Sequence, residues 1–156
     1  MGNAEIHKGR NKEMDPRRAL FGLFFAFHNR LQAVGDAFYE EITCKQFFLF
    51  ACMFLFDGAP TANEMAEVMG CSRQSVKEIL TSLEKKGFVQ IVPDSDDKRK
   101  KRIVMTIEAD NLRGKYANKE FAFIDGLFDG VSGEEIKETY RVITHMENNL
   151  KKMGEK

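Results

Sequence analysis

The segment from Thr61 to Gly87 constrains this chain more than any other, because the residues that start and stop helices fall in it in a tight order. Thr61-Ala-Asn-Glu64 has the spacing of a capping box, with threonine at the N-cap and glutamate three residues on, and Gly70 supplies a stop after Met69. Ser72 then caps a further helix that ends at Gly87. Ala66 is small enough for close helix contact, and Val76 and Ile79 point inward on the helical period. Helix, short glycine-containing turn and helix is the pattern of a helix-turn-helix.

The flanking sequence says what such a pair is built into. Phe88 to Val92 and Arg102 to Met105 are apolar or β-branched runs on either side of a polar stretch, Pro93 to Lys101, and read as a hairpin with a long charged loop. Upstream, Leu20, Leu23, Phe24, Phe27 and Leu31 recur at three- and four-residue steps, which predicts a helix from Asp15 to Gly35 or a turn beyond. Thr43 caps a second helix through the run FFLFACMFLF to Phe56; a membrane span needs roughly 20 apolar residues, so this run reads as a buried helix. Downstream, a helix is expected from Ile107 to about Phe128. Ser132-Gly-Glu-Glu135 caps another that carries Ile136, Tyr140, Ile143, Met146 and Leu150. The fold class is therefore mainly α with a small β-hairpin wing. A polar tail, residues 1–14, precedes a single domain, residues 15–156, whose core is residues 42–106. The apolar helices at residues 15–40 and 107–152 exceed what a small winged core can cover, and a second subunit would cover them.

Charge adds a location. The chain balances 24 Lys and Arg against 24 Asp and Glu, so a nucleic-acid surface has to be local. Between Cys71 and Arg102 there are nine bases and five acids, and five of the bases are consecutive, Lys98 to Arg102. Val76, Ile79, Leu80 and Leu83 share one face of the helix after Ser72, and Gln74, Glu78, Thr81 and Lys85 share the other, flanked by Arg73 and Lys77. Arg, Gln and Lys suit purine edges and phosphates in a major groove that admits one helix. A solvated polar face is the plain alternative, but the basic loop that follows directly favours DNA. Ser72, Arg73, Gln74, Ser75 and Lys77 are the candidate groove and rim residues; Lys98, Arg99, Lys100 and Lys101 are the candidate wing residues. Asp94, Asp96 and Asp97 pair with neighbouring bases or form a solvated turn.

These residues resemble the MarR family of winged helix-turn-helix regulators. The family wing motif, Asp-x-Arg-Asp-x-Arg followed by a strand and Leu-Thr, is similar to Asp94-Ser95-Asp96-Asp97-Lys98-Arg99 leading through Ile103-Val104 to Met105-Thr106, with Asp96 where the family usually has Arg. Ile42-Thr43-x-x-Gln46 resembles the start of the family's second helix. Ser72 to Val76 and Leu83-Glu84-Lys85-Lys86-Gly87-Phe88-Val89 resemble its recognition helix and first wing strand. The resemblance implies that Arg99 reaches into a minor groove and that terminal helices knit a homodimer on a pseudo-palindromic operator in double-stranded DNA. It also implies repression of nearby genes, relieved by a small aromatic or amphipathic ligand or by an oxidant. The alternative is a winged helix used as a protein-interaction module.

The chain has fourteen phenylalanines, and Phe24, Phe25, Phe27, Phe38, Phe47, Phe48, Phe50, Phe54 and Phe56 crowd the first two helices, where they serve either as core or as the lining of an aromatic pocket. Cys44, in a first helical turn where the macrodipole lowers a thiol pKa, and Cys71, before the recognition helix, are candidate redox sensors or plain thiols. Cys52 reads as core. An odd number of cysteines without CxxC spacing suits a reducing cytoplasm, with no zinc knuckle. His7, His28 and His145 are far apart, and no phosphate loop, zinc-peptidase helix or Gly-x-Ser-x-Gly elbow is present. No catalytic residue, metal or cofactor is expected.

Overall fold

The caps fall where the sequence puts them. In the computed structural model, which describes residues 15–154, the order is α1 (Pro16–Phe38), α2 (Cys44–Met53), α3 (Ala62–Met69), α4 (Arg73–Lys85), β1 (Val89–Pro93), β2 (Lys101–Met105), α5 (Ile107–Leu127) and α6 (Gly133–Gly154). The N-terminal tail expected at residues 1–14 lies outside the described residues. Asp15 caps α1 through the Arg17 N–H. Thr43, with Gln46, and Thr61, with Glu64, each close a full capping box, satisfying donors that a helix start leaves without intrahelical partners. Gly70 ends α3 at φ 63°, the left-handed conformation that glycine adopts without a Cβ penalty. The second helix stops at Met53 instead of Phe56: the N–H of Phe54 turns back to Ala51 and that of Leu55 to Cys52, tightening the last turn ahead of Asp57-Gly58.

The described chain forms two units that meet in sequence at Ile107 and Glu108. In the first, the core gathers Leu49 and Phe50 of α2, Met65 of α3, Val76, Leu80 and Leu83 of α4, and Val89 and Ile103 of the hairpin, all buried. Val76, Leu80 and Leu83 form the i, i+4, i+7 stripe that packs a helix of mixed polarity. Ile79 is only half-buried and lines a cavity. The hairpin is antiparallel, with Val89 opposite Met105, Ile91 opposite Ile103 and Pro93 opposite Lys101. The Ile103 N–H also donates to the Pro60 carbonyl at 2.8 Å, docking β2 on the segment that leads into α3.

One buried polar group ties this core together. Gln46, 5% exposed, donates from Nε2 to Ser82 Oγ at 2.8 Å, and its Oε1 accepts from the Thr43 N–H and from Lys86 Nζ, each at 3.1 Å. Lys86 Nζ also donates to the Glu41 carbonyl at 2.7 Å. Among the described residues no buried side-chain nitrogen or oxygen lacks a partner, as burial of such groups requires.

The phenylalanines are not the core that their number suggests. Of the nine named above only Phe50 is buried, while Phe24, Phe25, Phe27, Phe48 and Phe54 are exposed. α1 buries a single residue, Gly35, and leaves Leu20, Leu23, Phe24, Phe27 and Val34 exposed. Likewise the run FFLFACMFLF buries Leu49, Phe50, Cys52 and Met53 and leaves Phe54 and Leu55 at the surface. In the second unit Ala109, Leu112 and Tyr116 of α5 are buried. Phe121, Ile124, Tyr140, Ile143, Leu150 and Met153 are exposed large apolar side chains of α5 and α6.

Candidate nucleic-acid interface

Two elements of the first unit shape a groove. The N-terminal half of α4 supplies Arg73 and Lys77, and the hairpin supplies Arg99, Lys100 and Lys101; together they line a concave space of about 630 Å³. Its apolar floor includes Leu80 and Ile91, and its rim on the α3 side carries Thr61, Asn63 and Glu64. Arg102 lines it too, so six bases face one acid across it. Such a concentration of one sign on a concave surface favours a polyanion.

The helix supplies its residues through its cap. Ser72 Oγ accepts from the Ser75 N–H at 3.1 Å and lies 2.9 Å from Ser75 Oγ, so both hydroxyls are engaged at the start of α4. Gln74, exposed one residue inside, donates to Glu78 Oε1 at 3.3 Å, a weak tie that leaves the amide available. Arg73 and Lys77, a turn apart on the exposed face, are the two α4 candidates that turn toward the groove. Ser72, Gln74 and Lys98 are exposed but do not line it, and Ser75 borders the other cavity, described below.

Asp94 organises the wing turn. Its Oδ1 accepts from the N–H groups of Asp96 and Asp97, both at 2.9 Å, and its Oδ2 accepts from Arg102 Nε at 2.5 Å. The Arg102 guanidinium, followed by the two N–H donors, holds the Asp94 carboxyl at about 2, well below the usual range. Asp97 accepts from Arg99 Nε at 3.1 Å, which also lowers its pKa, while the Arg99 side chain remains 92% exposed at the tip. Acids and bases of the turn therefore do pair, as expected for Asp94 and Asp97; Asp96 contributes its backbone N–H.

Arg102 was counted with the loop bases but not with the candidate site. It bonds Asp94, the Ala59 carbonyl at 3.1 Å and Glu64 Oε2 at 3.4 Å. No sequence signal separates it from its four basic neighbours, because its partners lie up to 43 residues away.

A second cavity of about 540 Å³ lies among α1, α2 and the start of α4. Phe47, Phe48, Ala51, Met69 and Ile79 make it mainly apolar, His28 and Gln32 supply polar groups, and both Cys44 and Cys71 reach it. Cys44 departs from expectation. Burial, then the nearby Asp36 carboxylate, push its thiol pKa up instead of down, outweighing any pull from the helix N-terminus. Cys71 is exposed, and Cys52 is buried as expected. Among the described residues no three or more His, Cys, Asp or Glu side chains are grouped to hold a metal, and no helix is long and apolar enough to cross a membrane.

The comparisons with known proteins agree with this geometry. The sequence model of the MarR family matches residues 42–101, the stretch from two residues before α2 to the first residue of β2. A MarR/EmrR family transcriptional regulator from Acinetobacter sp. ADP1 superposes with a TM-score of 0.79 at 14% identity, over 89% of this chain and 99% of that one. MepR of S. aureus, solved with DNA, gives 0.75 at 23% identity over 84% and 97%. The PcaV transcriptional regulator from Streptomyces coelicolor, solved with its natural ligand, gives 0.70 at 17% over 86% and 93%. At these identities the likeness is one of fold, a winged helix. Over residues 42–101 this chain is similar in sequence to the MarR family.

Proposed function

We propose that this protein is a sequence-specific DNA-binding transcriptional regulator that acts as a homodimer. The observation that carries the reading is the groove in which Arg73 and Lys77 of α4 face Arg99, Lys100 and Lys101 of the wing. In this reading α4 enters a major groove with Gln74 toward base edges, and Ser72, Arg73, Ser75 and Lys77 serve the groove and its phosphate rim. The wing follows the adjacent backbone through Lys98, Lys100 and Lys101, with Arg99 directed at a minor groove. The similarity in fold to MepR of S. aureus, solved with DNA, supports this reading.

The homodimer is supported by the apolar side chains left open on α1, α5 and α6, a larger uncovered set than a monomer commonly carries. Two copies would present two α4 helices to half-sites about 34–36 Å apart. The proposed regulation is repression of nearby genes, relieved when a small aromatic or amphipathic molecule enters the cavity beside α4 or when Cys71 or Cys44 is oxidised. Either event would shift the population between dimer geometries. The apolar lining with His28 and Gln32 fits an apolar body with one polar head, and the ligand-bound PcaV fold is a precedent for a ligand on this architecture. The proposed role requires no enzymatic activity, and its setting is the cytoplasm.

The test is selection from random duplex DNA, followed by titration of the enriched pool at two salt concentrations with and without reductant. An enriched inverted repeat, bound with an affinity that falls steeply with salt, is expected. No enrichment and weak, salt-insensitive binding would favour a protein-interaction module instead.

A further inference from the structure

Arg102 closes the basic run Lys98–Arg102, yet it is placed unlike the four residues before it. Lys98, Arg99, Lys100 and Lys101 are exposed, whereas the Arg102 side chain is 30% exposed and its hydrogen bonds run inward. Nε meets Asp94, and Nη1 meets the Ala59 carbonyl and Glu64. Each of those acids is already engaged. Asp94 folds the wing turn through the N–H groups of Asp96 and Asp97, and Glu64 accepts from the Thr61 N–H at 2.7 Å as the capping residue of α3. One guanidinium thus joins the turn that carries the wing tip to the first turn of the helix-turn-helix. The planar fork of arginine can do this, whereas a lysine ammonium offers a single point of attachment.

Other ties around the tip stay within the hairpin: Asp94 N–H to the Lys100 carbonyl, Lys100 N–H to the Asp97 carbonyl, and Arg99 to Asp97. At the root, the Ile103 N–H donates to the Pro60 carbonyl, and Val89 and Ile103 are buried in the core. These hold the base of the hairpin, and the Arg102 contacts with Ala59 and Glu64 add a tie on the side of the wing turn.

We propose that Arg102, acting through Asp94 and Glu64, is a positioning residue that sets where the wing bases stand relative to Arg73 and Lys77, and is not itself a phosphate contact. The inference rests on the DNA-binding reading above. It assigns a role to an arginine outside the predicted site and to two acids that simple charge counting would score as harmful to DNA binding. It also supplies a consequence for Asp96. The turn carries an acid there, and the arginine that grips its innermost carboxylate reaches back from β2.

The experiment is titration of a fluorescently labelled mixed-sequence duplex, at several salt concentrations, with the full chain and four variants: Arg102→Met, Asp94→Asn, Arg99→Gln and the double variant Arg102→Met/Arg99→Gln. Removing a negative charge from a DNA-facing surface should by charge alone tighten binding. The proposal expects the reverse, Asp94→Asn binding roughly fivefold more weakly and Arg102→Met roughly tenfold, because both release the wing. Arg99→Gln should then cost little further in the Arg102→Met background, since a misplaced tip has little contact left to lose. Amide hydrogen exchange without DNA gives an independent readout, with faster exchange expected at Asp96 and Asp97 in Asp94→Asn while the protection of α4 is kept. Tighter binding by Asp94→Asn, or additive losses from Arg102→Met and Arg99→Gln that each lower the salt slope by one contact, would overturn the proposal and make Arg102 an ordinary phosphate ligand. Absence of salt-dependent binding by the unsubstituted chain would instead overturn the DNA-binding reading, and the positioning role with it.

Discussion

Gly35 of α1 lies so close against Cys44 of α2 that a Cβ added to it would stand 2.5 Å from the sulfur and 2.8 Å from the Cys44 Cβ. The next residue completes the clasp, Asp36 Oδ1 accepting from the Cys44 N–H at 2.8 Å. Gly35→Ala is therefore expected to destabilise the protein by about 1–3 kcal/mol, the cost of overpacking a site that cannot relax freely. Denaturant unfolding of Gly35→Ala, Cys44→Gly and the pair measures it. The pair should be more stable than the sum of the single effects predicts, because Cys44→Gly removes the atoms that the new methyl meets. Strict additivity would show that α1 simply moves away.

The same burial decides cysteine chemistry. With its thiol pKa raised by burial and by Asp36, Cys44 holds less thiolate at neutral pH than an ordinary cysteine, whereas Cys71 is exposed. Iodoacetamide at pH 7.5 should label Cys71 before Cys44, as read by peptide mass spectrometry, and Cys44 labelling should accelerate as pH is raised. Faster labelling of Cys44 would mean that the helix N-terminus outweighs its surroundings.

Acid should loosen the wing before it unfolds the core. The Asp94 pKa is depressed in the folded chain to about 2 from an ordinary 3.8, so its contribution to stability is complete above the ordinary value and is lost as pH falls toward 2. The melting temperatures of the native chain and of Asp94→Asn, followed from pH 6 down to pH 2, should converge at the acid end. A gap that stays constant through that window would mean that the carboxylate contributes through shape and not charge.

Gln46 predicts a core defect visible without any ligand. Gln46→Leu keeps the volume but removes the acceptor shared by Lys86 Nζ and the Thr43 N–H and the donor to Ser82 Oγ, leaving Lys86 with the Glu41 carbonyl. A loss of about 1 kcal/mol is expected from urea unfolding, the net worth of part-buried hydrogen bonds removed together. A second change, Lys86→Met, should recover part of it; no recovery would place the cost at Thr43 or Ser82.

The division of labour on DNA can be separated by salt. Lys100→Ala should weaken binding to every duplex and flatten the slope of log affinity against log salt by about 0.9, one phosphate contact. Gln74→Ala should instead relax sequence preference with a near-native slope. Equal effects of both variants on selected and random DNA would refute the assignment of base reading to Gln74.

What the sequence determined by itself was the set of elements and their order. Capping boxes span three residues, a helical stripe repeats every turn, and a hairpin joins neighbours, so Thr61, Gly70, Ser72 and Ser132 could be read without knowing what packs on them. The basic faces of α4 and the wing were legible for the same reason: their residues sit on short runs of chain. What only the tertiary structure decided were relations between distant residues: Arg102 with Ala59 and Glu64, Gln46 with Ser82 and Lys86, Gly35 with Cys44. Burial belongs to that class, which is why the sign of the Cys44 shift and the exposure of most α1 and α2 phenylalanines ran against the sequence reading. A helix dipole is a local property of the chain. The desolvation that overrides it, and the partner that an apolar face lacks, are properties of whatever folding brings alongside.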